Sequence, residues 1–228
     1  MRFFVGLILL SAFLQACSKS SEFQSKNPNA AFFYPADTVP KIYLYRDVAH
    51  GLEEEFHRIY TLRDKEGAHI IVERYASDGR ILEAMNYNVD SLNVQDQMIV
   101  DRFQKKEKAI LYKTDLFPMD LKKKTWFASK FHGVVDSTLI LEEIKRSYLK
   151  TKEVEFMDEK AEALVFDQEM KLTVLNPFTK KEDAQSAHAT TYFAKGYGLV
   201  EWHNASKSVH FRLEQILSQQ DWVKIIAR

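Results

Sequence analysis

From Phe32 onward, apolar and polar residues alternate in short runs rich in Ile, Val, Tyr, Phe and Thr, with turn residues between them. Alternation of period two, bounded by turns, is the mark of strands with one buried face. The pattern predicts strands at residues 42–46, 55–63, 69–77, 80–89, 97–103, 108–114, 153–157, 163–166, 170–175, 190–194, 198–203 and 208–215. Helical spacing is scarce. Leu139, Ile140, Glu143, Ile144 and Ser147 recur at intervals that suit a short helix over residues 136–149 with Asp136 as its cap, although 139–143 also reads as a strand. Ser218-Gln219-Gln220-Asp221 opens a second short helix over 218–226.

Two hairpins can be read residue by residue. Asp78-Gly79 is a two-residue turn signal, since both residues tolerate positive φ. It sets Ser77 against Arg80, Arg74 against Glu83, Val72 against Met85 and Ile70 against Tyr87. A second hairpin turns at residues 204–207 and places Trp202 against Val209 and Val200 against Phe211 on an apolar face. Its polar face then carries Glu201 against His210 and His203 against Ser208. The architecture expected is mainly β: an antiparallel meander forming a curved sheet, half-barrel or open sandwich, with one or two short helices. No internal repeat or second linker divides it.

The first residues follow another pattern. Arg2 precedes an apolar run from Phe3 to Phe13 broken only by Gly6 and Ser11, and after Cys17 the chain turns polar. The run has the layout of a secretory signal and is too short to span a bilayer. Leu14-Gln15-Ala16-Cys17 resembles the lipobox of bacterial lipoproteins. The resemblance implies cleavage before Cys17, which then carries palmitate-type acyl chains and anchors the protein to an envelope membrane. It also implies the outer membrane rather than the inner one, because Ser18 stands where an acidic residue would favour inner-membrane retention. The expected organisation is a signal peptide at 1–16, the lipidated cysteine and a flexible tether at 17–30, and a single β-rich domain at 31–228.

Composition narrows the function classes. Without Arg2 the mature chain has 31 basic residues against 32 acidic ones, a net charge near −1. There is no overall basic excess to recruit nucleic acid or an anionic membrane surface, and the run Lys122-Lys123-Lys124 reads as a solvated loop. With Cys17 the only cysteine, no internal disulfide can form, and the fold depends on its core.

Candidate chemistry is sparse. Glu201, His203 and His210 share one face of the predicted terminal hairpin, with His188 and Glu214 as neighbours that could join them. Such a set can bind a divalent metal or hold a general base, or it can be an ordinary solvated sheet face. His50, His57, His69 and His132 are scattered without pairing. No H-E-x-x-H, C-x-x-C, Gly-x-Ser-x-Gly or phosphate-loop motif occurs, so no catalytic residue and no cofactor is expected. Aromatic residues, among them Tyr43, Tyr45, Tyr87, Phe127, Phe193 and Trp202, either fill the core or line a groove for a hydrophobic ligand.

The segment Thr190–Trp202, an aromatic strand followed by Lys195-Gly196-Tyr197-Gly198-Leu199-Val200, resembles the last hairpin of uncharacterised bacterial envelope lipoproteins. It is similar to strand-rich lipoproteins that include outer-membrane lipoprotein carriers and their receptors. The function expected is a lipid-anchored, non-catalytic binding or assembly module. The alternatives are a carrier or receptor for lipid or lipoprotein, a metal-dependent hydrolase built on Glu201, His203 and His210, and a subunit of an envelope secretion or motility machine. The partners expected are the membrane, envelope proteins or a lipid ligand.

Overall fold

A computed structural model of the protein describes residues 23–51, 53–101, 103–133 and 138–227. The expected signal peptide at 1–16, Cys17 and residues 18–22 lie outside the described residues, as does Asp136. The strands are β1 (Lys41–Asp47), β2 (Glu54–Asp64), β3 (Gly67–Ala76), β4 (Ile81–Asn88), β5 (Val94–Val100), β6 (Lys106–Lys108) and β7 (Ile110–Asp115). They continue as β8 (Thr125–His132), β9 (Leu139–Phe156), β10 (Glu159–Asn176), β11 (Lys181–Ala194), β12 (Gly198–His203) and β13 (His210–Ser218), followed by helix α1 (Gln219–Ile226).

All thirteen strands described belong to one antiparallel sheet, ordered β6-β5-β4-β3-β2-β1-β13-β12-β11-β10-β9-β8-β7. The chain starts in the middle of the sheet and runs out to one edge at β6. It continues as β7 at the other edge after a single residue, Ala109, and returns to pair β13 with β1. One stretch of chain can serve both edges only if the sheet curls until they meet. Ala109 N donates to Gln97 O at 2.9 Å and His132 bonds Glu107 across that seam, although no ladder closes the sheet into a barrel.

The concave face holds the main core, including Tyr43, Tyr45, Ile59, Ile70, Val72, Tyr87, Phe127, Phe166 and Leu213. A smaller cluster on the opposite face joins Ile42, Leu44 and Phe56 to Trp222 of α1. Ser218 caps α1, as its sequence suggests: its Oγ accepts from Asp221 N at 3.2 Å. Ser218→Ala is expected to lower stability by about 1 kcal/mol, read as a reduced urea midpoint with unchanged slope.

The first of the two short helices expected is not formed. From Leu139 the chain is strand, and β9 pairs with β10 along its length and with β8 from Leu139 to Arg146. The inward positions of β9 include Glu142 and Arg146, opposite Ser129 and Thr125 of β8, so polar side chains stand where an apolar alternation would have marked a strand. Strand β8 itself is an addition to the expected set. Segments 163–166 and 170–175 merge into β10, and 108–114 divides into β6 and β7.

The stretch expected to be a flexible tether is packed from Phe23 onward. Phe23 is buried, Lys26 N donates to Asp90 O at 3.1 Å, and Asn29 Nδ2 donates to Pro118 O at 2.9 Å. Phe33 and Tyr34 then enter the core. The segment therefore crosses the loops at one end of the curled sheet and plugs it. Gly198 makes room for the plug: its φ is +86°, and a Cβ there would lie 2.5 Å from Tyr34 Cδ1.

Candidate functional site

The terminal hairpin holds the side chains the sequence singled out. Its register is shifted by two residues from the expected one, so that His203 lies opposite His210 and Glu201 opposite Arg212. A shift of two preserves the faces. Glu201, His203 and His210 therefore still share one. His210 Nε2 lies 2.9 Å from Glu201 Oε1, and Arg212 Nε lies 3.8 Å from the other carboxylate oxygen. His203 Nδ1 donates to Asn204 O at 2.9 Å, which leaves Nε2 to accept from Tyr192 OH at 3.2 Å. Both nitrogens of His203 are occupied. His188 sits beside Asp167 and Glu214 holds Arg46, so neither joins the set. Among the described residues, no three His, Cys, Asp or Glu side chains are grouped to hold a metal ion.

A larger constellation lies on the concave face and involves residues that sequence reasoning passed over. Glu55 and His57 alternate inward on β2, with Arg74 opposite His57 on β3, Glu83 opposite Arg74 on β4, and Gln97 on β5. His57 Nδ1 meets the hydroxyl of Tyr34 from the plug at 3.2 Å, and its Nε2 bonds Glu55 Oε1 at 2.6 Å. Arg74 Nε donates to Glu55 Oε1 at 2.8 Å and Nη1 to Glu83 Oε2 at 3.1 Å. Gln97 Nε2 donates to Glu83 at 2.7 Å and across the seam to Glu142 of β9 at 2.9 Å. The result is one chain of contacts from the N-terminal plug to the far wall of the sheet.

Charge is unevenly balanced along it. Burial alone would raise Glu55, but the Arg74 guanidinium and the His57 bond outweigh it and hold the carboxyl well below its usual range. Burial pulls His57 down, and the Glu55 charge recovers only part of the loss, so the imidazole is neutral near pH 7. Burial and the neighbouring Glu83 charge both push Glu142 up. Arg146, on the same wall, donates to Leu116 O and Gln168 Oε1 and lies over the Phe193 ring. Burial brings its pKa down to about 10.

This arrangement ties β2, β3, β4, β5 and β9 together through their side chains. Phe33, Phe117, Phe166 and Phe193 pack against one another with centroids 5.0–6.5 Å apart, filling the space beside the network. A surface cleft of about 810 Å³ lies between Arg46–Val48, the β9–β10 turn and Arg212–Glu214. Its charges are largely tied to each other, Arg46 to Glu54 and Glu214, and Lys160 to Glu155.

No family model matches the chain, and no curated protein matches it. Two solved structures share the general outline. One is a protein of Parabacteroides distasonis provisionally assigned as a lipoprotein, with a TM-score of 0.47 and 11% identity over 82% of this chain and 98% of that one. The other is a provisionally assigned exported protein of Bacteroides fragilis with a YmcC-like fold, with a TM-score of 0.43 and 16% identity over 82% of this chain and 99% of that one. Neither likeness carries a functional argument.

Proposed function

We propose that the protein is a lipid-anchored component of a bacterial envelope, with a non-catalytic domain that binds or assembles with other envelope components. The observation that carries this reading is the abrupt boundary at Cys17: a short apolar leader, Leu14-Gln15-Ala16-Cys17, and then a polar run. The structure adds two supporting facts. Tyr43, Tyr45, Tyr87, Phe127 and Phe193 are buried in the main core, and Glu55, Arg74, Glu83 and Gln97 on the concave face bond each other. Ser18 favours the outer membrane as the site of anchoring.

Intact-mass analysis of the protein purified from membranes tests the anchor. Loss of residues 1–16 and a mass increment of several acyl chains on Cys17 are expected, with Cys17→Ala abolishing the increment. An unmodified, freely soluble product would overturn the reading. In the same sample, stoichiometric copurifying lipid would point to a carrier instead.

A further inference from the structure

We infer that the loop between β7 and β8, together with Trp126, rests on the anionic phospholipid surface of the membrane that holds the anchor; the inference depends on the lipidation of Cys17.

The anchor decides which end of the domain faces the bilayer. Five residues separate Cys17 from Phe23, a link that reaches at most about 20 Å when fully extended. Phe23 lies under Arg63 near the β2–β3 turn, Lys26 bonds Asp90 in the β4–β5 loop, and Asn29 bonds Pro118 in the β7–β8 loop. All three contacts belong to the plugged end of the sheet. Strand β2, with its 11 residues, is about 36 Å long, so a 20 Å link cannot bring the opposite end to the membrane. The plugged end must face it.

The chemistry of that end selects the side. Lys122, Lys123 and Lys124 are consecutive and exposed, and Met119 in the same loop is 50% exposed. Trp126 follows, 42% exposed, with Lys113 and Lys145 over its ring at 4.9 and 5.5 Å. The segment from 113 to 126 carries four lysines against Asp115 and Asp120, in a chain that is otherwise balanced. An indole flanked by ammonium groups suits the level of lipid headgroups, where its apolar body and polar edge are both accommodated. Phe117 roots the loop in the core 5.0 Å from Phe33, so the patch is fixed relative to the anchor segment.

The experiment uses the full lipidated chain in vesicles of phosphatidylcholine alone or with about one third phosphatidylglycerol, with some acyl chains brominated. Flotation reports the anchor, and quenching of tryptophan emission reports the docking. Trp202 and Trp222 contribute a constant background that Trp126→Phe isolates. Quenching is expected to be at least about twofold stronger with phosphatidylglycerol, to fall to the phosphatidylcholine level in the Lys122→Gln, Lys123→Gln, Lys124→Gln triple variant, and to weaken in high salt. Unchanged thermal midpoints confirm that the variants are folded. Protein that floats but is quenched equally in both vesicles, or is unaffected by the triple variant, overturns the docking and leaves the anchor standing. Protein that does not float overturns both.

Discussion

Phe33→Ala is expected to lower the free energy of unfolding by about 4 kcal/mol, the middle of the range for removing a buried ring, and the thermal midpoint by about 10 °C. Phe33 is 3% exposed, and its ring meets Tyr87 of β4 and Phe117 of the β7–β8 loop at 5.0 Å, and Phe193 of β11 at 6.5 Å. One side chain thus joins three distant parts of the sheet to a segment that belongs to no ladder. Backbone bonds hold that segment at only a few points, such as Gly196 N to Ala31 O at 2.7 Å, so side-chain packing must supply most of its attachment. The surrounding rings are themselves wedged edge to face and cannot collapse into the gap, which is the condition for a costly cavity. The check is denaturant and thermal unfolding of the mature chain, with Phe178→Ala as control. Phe178 is 80% exposed at the β10–β11 turn, and its loss is expected to change nothing measurable. A cost below about 1 kcal/mol for Phe33→Ala would mean that the N-terminal plug is not part of the cooperative unit. Limited proteolysis supplies an independent reading: new cleavage before Lys41 is expected in the variant and not in the parent.

Strand-level organisation was legible wherever buried faces were apolar. The Asp78-Gly79 hairpin has the register expected for Arg74 with Glu83, Val72 with Met85 and Ile70 with Tyr87. Only near the turn does it depart, because Gly79 alone takes positive φ and a bulge follows Arg74. The terminal hairpin was displaced by two residues because its loop is longer than a tight turn and Asn204 N donates to Val209 O. On β9, where helical spacing competed with strand alternation, the inward positions include Glu142 and Arg146 beside Ile144, so burial does not follow hydrophobicity there. Strand β2 lies where it was expected, although its inward positions carry Glu55 and His57. The plug was hidden by its Ser, Lys and Asn content, which here serves local bonds such as Asn27 Oδ1 to Asn29 N. A signal for the interior network did exist. The Arg74–Glu83 pair falls on the same hairpin face as Ile70, Val72, Met85 and Tyr87, and a charge pair on an apolar face is a buried pair. The partners beyond it come from β2, β5 and β9, and no spacing along the chain connects them.

Arg74→Met tests that network, and its expected cost of about 3 kcal/mol at pH 7.5 depends on pH in a way a simple packing defect would not. The value is taken at the low end for breaking a buried pair because 42% of the Arg74 side chain is exposed and screened. Removing the guanidinium leaves Glu55 and Glu83, 16% and 12% exposed, facing each other's charge without compensation. In the parent, Glu55 is held below its unfolded value of about 4.3, so its contribution is fully present above that pH and is lost as acid carries the pH down toward its folded pKa. His57 acts in the same direction, because its lowered pKa lets the unfolded chain take up a proton first as the pH falls below about 6.5. Glu142 opposes them: its raised pKa makes the folded state the better proton acceptor above about 4.3, and acid relieves its repulsion with Glu83. The parent should therefore weaken on acidification. In Arg74→Met, Glu55 loses the charge that depressed its pKa and its protonation becomes a relief, so the difference between variant and parent is expected to shrink to under about 1 kcal/mol at pH 4. Adding Glu55→Gln and Glu83→Gln to Arg74→Met replaces the charges with neutral groups of similar shape and should recover at least half of the loss at pH 7.5. Urea unfolding of the three proteins from pH 4 to 8 decides the matter. A cost that is the same at every pH, or a triple variant no more stable than the single one, would show that Arg74 supports the sheet through the packing of its stem and not through the carboxylates it bridges.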